Sequence, residues 1–191
     1  YRHWNAFAEF KRSHLFVQSL GETGSTPASP VDLTPGDHAV PPFNLGGQGM
    51  YAISPDSQEL AYTSNIDEVE ATSTNNEIFV VPMAGGAAKK ISTSPGSDST
   101  PLYSSDGKYI AWRSQARAGF ESDKWRLLVQ DRQSGNTREA AKSFERSIGS
   151  FSWTSDPGEV VFTAEKGGTS PLFSTSVDPK ADWTTIAEAD S

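Results

Sequence analysis

"PLYSSDGKYIAWRSQ", residues 101–115, reads as a short strand, a tight turn at Ser105-Asp106-Gly107-Lys108 and a second strand. Its Tyr109-Ile110-Ala111-Trp112 run is apolar on both parities, the pattern of a strand covered on both faces. The pattern recurs fifty residues away on either side. "YAISPDSQELAYTS" (51–64) and "FSWTSDPGEVVFTA" (151–164) align with it without gaps and bring Asp56, Asp106 and Asp156 into register. Leu60 and Tyr62 then match Ile110 and Trp112, and Val160 and Phe162, with Ala61, Ala111 and Val161 on the opposite parity.

Each unit continues alike: a variable polar loop, a second apolar run and a short closing stretch. The runs are "EIFVVPMAGG" from Glu77, "WRLLVQDRQSG" from Trp125 and "PLFSTSVDP" from Pro171; the closing stretches are "AAKKIST", "NTREAAK" and "DWTTIAE". Gly85-Gly86 and Ser134-Gly135 are hairpin signals between the last two stretches. No segment has a clear helical period; "TREAAKSFERS" is the one helical competitor. Four antiparallel strands repeated every 40 to 50 or so residues predict an all-β fold, a β-propeller fragment of four-stranded blades. The expected division is a partial blade at 1–40 and full blades at 41–95, 96–143 and 144–191. In the partial blade "SHLFVQSL" and "SPVDLTPG" match the third and fourth strands, and "YRHWNAF" fits the one before. An open fan leaves an apolar face and an unpaired edge. The chain is therefore expected to be part of a larger propeller or to self-associate through its edges.

Composition narrows the function classes. A formal net charge of −8 and only two adjacent basic pairs, Lys11-Arg12 and Lys89-Lys90, argue against nucleic acid. No apolar run is long enough to span a bilayer. The absence of cysteine excludes disulfides and thiolate metal sites and leaves the compartment open. The sequence opens Tyr1-Arg2-His3-Trp4 with no leader pattern, and reads as starting inside a blade.

The three aspartates in register are expected to be turn makers, since Asp bonds its own backbone and Gly accepts positive φ. Tyr62, Trp112 and Phe162 are expected to be blade-to-blade core. His3, His14 and His38 are the only histidines and have no triad setting; no G-x-S-x-G is present. The acidic loop "NIDEVEATSTNNE" offers Asp67, Glu68 and Glu70 as carboxylates for a ligand's ammonium, against a solvated loop or, with poor spacing, a calcium site. No cofactor or metal is implied.

The run from Pro101 to Trp112 resembles the "P-x-W-S-P-D-G-K-x-I-A-F" repeat of TolB-type propellers, with Ser105 in place of a proline that Pro55 retains. Such repeats also form the N-terminal propeller of the prolyl oligopeptidase superfamily. "YRHWNAFAEFKRSHLFV" (1–17) and "SNIDEVEATSTNNEIFVVPMAGG" (64–86) resemble its dipeptidyl-peptidase-5-like and acylaminoacyl-peptidase-like serine peptidases. That resemblance implies a non-catalytic segment that gates or helps bind a peptide for an α/β-hydrolase domain outside this chain, in the periplasm or secreted. The chain alone is then expected not to hydrolyse peptides. The alternatives are a TolB-like protein-binding propeller of the bacterial envelope and a sugar- or metal-dependent propeller enzyme.

Overall fold

The structure is a computed structural model in which residues 11–21, 28–42 and 49–188 are described. The strand expected at Tyr1–Phe7 lies outside them. Three four-stranded antiparallel sheets follow one another, each in simple sequence order, and a two-stranded sheet precedes them. The partial blade is β1 (Phe16–Val17) and β2 (Val31–Asp32). The first full blade holds β3 (Tyr51–Ile53), β4 (Glu59–Asn65), β5 (Asn76–Pro82) and β6 (Lys89–Lys90). The second holds β7 (Asp98–Tyr103), β8 (Tyr109–Ser114), β9 (Arg126–Asp131) and β10 (Thr137–Ala140). The third holds β11 (Phe151–Trp153), β12 (Glu159–Thr163), β13 (Leu172–Ser176) and β14 (Trp183–Ala187).

The repeat register is also the pairing register. Tyr51 faces Tyr62 and Ile53 faces Leu60; Leu102 faces Ala111 and Tyr103 faces Ile110; Phe151 faces Phe162 and Trp153 faces Val160. The aspartates build the turns between these pairs. Asp106 Oδ1 accepts from the Ser104 hydroxyl at 2.8 Å and the Lys108 amide at 3.0 Å, while Ser104 Oγ accepts the Tyr109 amide at 3.0 Å. Asp56 repeats this with Ser54 (2.6 Å) and Gln58 (3.1 Å), and Asp156 takes the Gly158 amide at 2.8 Å. The turn also needs a positive φ, met by Gly107 at 70° and by Ser57 at 56°. Hydrogen bonds to the ionised form, from the Ser54 hydroxyl to Asp56 and from the Lys108 amide to Asp106, hold both carboxyls below their usual range.

The blades stack through both faces of their second strands. Tyr62 packs toward the partial blade with Phe79 and Leu33, Trp112 packs toward the first blade with Ile78, and Phe162 toward the second with Phe144. Ala61 and Ala111 lie on the opposite faces and let the following blade approach closely. The first strands lie innermost, with β7 touching β3 on one side and β11 on the other. The fourth strands form the rim: β6 is exposed and β14 is nearly so.

"TREAAKSFERS" forms β10 and then a turn rather than a helix, because two needs outweigh its helical formers. Ladder bonds to β9 bury Ala140, and Phe144 is driven between Phe162, Phe173 and Trp183, whose ring centroids lie 5.0–5.1 Å away. The crossings between blades are tight. A Cβ on Gly96 would lie 2.5 Å from the Gln115 carbonyl oxygen, and one on Gly149 would lie 2.9 Å from Thr163 Oγ1.

Candidate functional site

Second strands end, and first strands begin, on one side of the fan, so the loops after β4 and β8 share that side with the inter-blade crossings. The loop after β4 carries the acidic residues. Asp67 Oδ2 accepts the Ser73 hydroxyl at 2.6 Å and Oδ1 the Asn75 amide group at 3.1 Å. The Asn65 side chain binds the Asp67 amide (3.1 Å) and the Ser73 hydroxyl (3.2 Å). Bonds from Ser73 and then Asn75 keep the Asp67 carboxyl below its usual range. Asp67 therefore stays charged but spends both oxygens on the loop. Glu68 is exposed. Glu70 opens a single 3-10 turn, Glu70–Thr72, and its buried Oε1 has no hydrogen-bond partner among the described residues.

The neighbouring loop, after β8, is braced in the same way by Asp123. That carboxylate takes the Ala116 and Arg117 amides at 2.9 Å each and the Arg117 guanidinium at 2.8 Å, chiefly the last of which lowers its pKa to about 2. The Gly119 amide donates to Thr74 Oγ1 at 2.9 Å and ties the two loops together. Between them lies a recess of about 380 Å³, lined by Asp67, Val69, Thr72–Asn75, Ala118 and Gly119. Of the three acidic residues only Asp67 lines it. Among the described residues no group of three or more His, Asp or Glu could hold a metal ion. His14 bonds Asp32 at 2.7 Å and the Gly36 carbonyl at 3.1 Å, a staple inside the partial blade; His3 lies outside the described residues.

Two further places depart from the repeat. At the innermost end of the fan a cavity of about 390 Å³ is lined by Gly49, Thr100, Leu102, Arg113, Ser150 and Phe151. Thr100 has a φ of 59°, a costly conformation (~1–3 kcal/mol) for a β-branched residue, at an irregularity in the β7–β8 pairing. Its hydroxyl accepts Arg113 Nε at 3.2 Å. The second place is Asp98, wholly buried on β7. Its Oδ1 accepts the Trp112 indole N–H at 2.9 Å, while Oδ2 has no hydrogen-bond partner among the described residues. Burial pushes its pKa up to about 6, against smaller lowering by Ser114 and Trp112. Ser114 stands beside the carboxyl but turns its hydroxyl toward the Gln115 carbonyl at 3.4 Å. Sequence reasoning passed over both, although the register carried a signal: Arg113 stands where the copies have Thr63 and Thr163, and Asp98 where one has Ile148.

No protein-family model matches the chain. It is 30% identical over 177 residues to dipeptidyl-peptidase 5 of Porphyromonas gingivalis, covering 91% of this chain and 25% of that protein. It is also 30% identical over 202 residues to dipeptidyl-peptidase 5 of Arthroderma otae, covering 94% of this chain and 27% of that one. The chain thus spans about a quarter of the length of these relatives. Among solved structures, a protein described as a TolB from Agrobacterium tumefaciens superposes with a TM-score of 0.64 at 16% identity, over 91% of this chain and 55% of that one. The tricorn protease does so with a TM-score of 0.55 at 11% identity, over 79% and 15%. These likenesses carry the propeller fold, and the sequence similarity is to dipeptidyl-peptidase 5, as residues 1–17 and 64–86 led one to expect.

Proposed function

We propose that the chain is the non-catalytic propeller segment of a periplasmic or secreted serine exopeptidase, where it gates the peptide and helps hold its amino terminus. The observation that carries the reading is the 30% identity to dipeptidyl-peptidase 5 spread over 91% of the chain. The geometry supports a division of labour in the loop after β4. Asp67 holds the backbone through Ser73 and Asn75, and Glu70, half-buried and with no side-chain ion pair among the described residues, offers its second oxygen, Oε2, to an incoming ammonium. Such a charge-assisted bond contributes roughly 1.5–3 kcal/mol. The TolB-like binding reading rests on fold likeness alone.

The test uses the whole protein that contains this chain, with dipeptide substrates bearing a free or an acetylated α-amine. Glu70→Gln is expected to lower kcat/KM about tenfold or more for the free amine and to leave the acetylated substrate unchanged. Equal effects on the two substrates, or no effect on either, would remove Glu70 from substrate binding.

A further inference from the structure

Arg113 is the sharpest departure from the repeat. It stands on β8, half-buried, where the neighbouring blades hold the small Thr63 and Thr163. A guanidinium taken into such a place ordinarily brings a carboxylate with it. Arg113 has no ion pair among the described residues. Among the described residues its one side-chain hydrogen bond is from Nε to Thr100 Oγ1 at 3.2 Å, and its Cζ lies over the Trp125 ring at 4.9 Å from the centroid. Burial lowers its pKa without detaching its proton at any ordinary pH. Thr100 and Trp125 thus fix the orientation of the fork and leave both terminal nitrogens unpaired among the described residues. Arg113 lines the 390 Å³ cavity, whose remaining wall includes the apolar Leu102 and Phe151 and the hydroxyl-bearing Ser150.

We propose that this cavity is a carboxylate-binding site for short peptides. Arg113 takes the carboxylate through its two terminal nitrogens, and Leu102 and Phe151 receive the adjoining apolar side chain. A planar fork held from one side suits a bidentate carboxylate better than a point cation would. The strained Thr100 is explained too: its φ of 59° accompanies a hydroxyl that donates to the Ser99 carbonyl at 2.7 Å and accepts Arg113 Nε at 3.2 Å, where the β7–β8 ladder is interrupted. This assignment goes beyond the peptidase reading and does not need it, because binding is read on the chain itself without turnover.

The experiment is calorimetric titration of the full chain with N-acetyl-Ala-Ala-Phe as the free acid and as the carboxamide. The acid is expected to bind at least tenfold tighter than the amide. Arg113→Gln should bring the acid down to the level of the amide, Arg113→Lys should recover part of the difference, and Lys142→Gln, on the exposed turn after β10, should change nothing. Amide and acid binding alike to the wild type would overturn the proposal with no variant involved. So would undiminished binding of the acid by Arg113→Gln, or inorganic phosphate binding at Arg113 where the peptide acid does not.

Discussion

The two seams between full blades are built from the same repeat and solve different problems. The seam between the second and third blades has an apolar interior: Phe144, Phe162, Phe173 and Trp183 interlock there in a cluster of mainly edge-to-face contacts, closed over by Ala111 and Ile148, while its carboxylate contact, Ser143 to Asp182, lies at the exposed surface. The seam between the first and second blades has an apolar centre around Trp112 and Ile78, but polar groups hold its two ends. At one end Glu59 takes the Arg132 guanidinium at 2.6 Å and the Tyr103 hydroxyl at 2.9 Å, and Arg132 also donates to the Gly107 carbonyl. At the other lie Asp98 and Glu77, the latter bonded to Ser92 and paired with Lys90 at 2.9 Å. Close packing is insensitive to pH, whereas a seam closed by carboxylates is not. The repeat thus specifies the shape of a seam and leaves its chemistry free.

The largest effect should come from the apolar seam. Phe162→Ala is expected to cost about 3–5 kcal/mol in urea unfolding, by the same amount at pH 5 and pH 8. A cost that changed with pH would break the contrast.

Asp98 gives the next effect, with the opposite signature. Its folded pKa of about 6 lies above the ordinary aspartate value, so the fold favours the neutral form. Its contribution is therefore fully present below about pH 4 and is lost as pH rises through about 6, by up to about 3 kcal/mol. Asp98→Asn keeps an acceptor for Trp112 and cannot ionise. It should raise stability at pH 7.5 by about 1–3 kcal/mol and flatten the decline between pH 4 and 7; an unchanged pH slope would clear Asp98 of the role.

Glu59→Gln should lose about 1 kcal/mol, less at high salt, because both partners are about a quarter exposed, at 27% and 25%. The smallest effect is local: Asp156→Ala removes the acceptor of the Gly158 amide in one turn, a bond with no ion-pair partner among the described residues, and should cost roughly 0.5–1.5 kcal/mol at any ionic strength. Equal salt dependence for these two variants would show that Glu59 is a turn-like hydrogen-bond acceptor and not an ion-pair partner.

The blades were legible because their determinants are local or periodic. Asp106-Gly107 sets a turn by its own backbone bonds, and the match of Trp112 to Tyr62 and Phe162 fixes which face is covered. The site was legible only in part. The acidic loop was visible as composition, but the inward turn of Asp67 depends on Ser73 and Asn75 coming back across the loop, which is a matter of backbone path. Arg113 and Asp98 were passed over because each looks ordinary in its own stretch. They stand out only against the residues at the same register in neighbouring blades, where a threonine or an isoleucine shows what the position normally holds.

The claim that most needs testing is that this chain positions peptide for chemistry done elsewhere. The direct measurement is hydrolysis of a dipeptidyl-aminocoumarin by the 191-residue chain and by the whole protein that contains it, each with and without a serine-directed fluorophosphonate. The account predicts turnover by the whole protein alone, abolished by the reagent. Hydrolysis by the isolated chain, or a whole protein inert toward every free-amine dipeptide substrate, would contradict it.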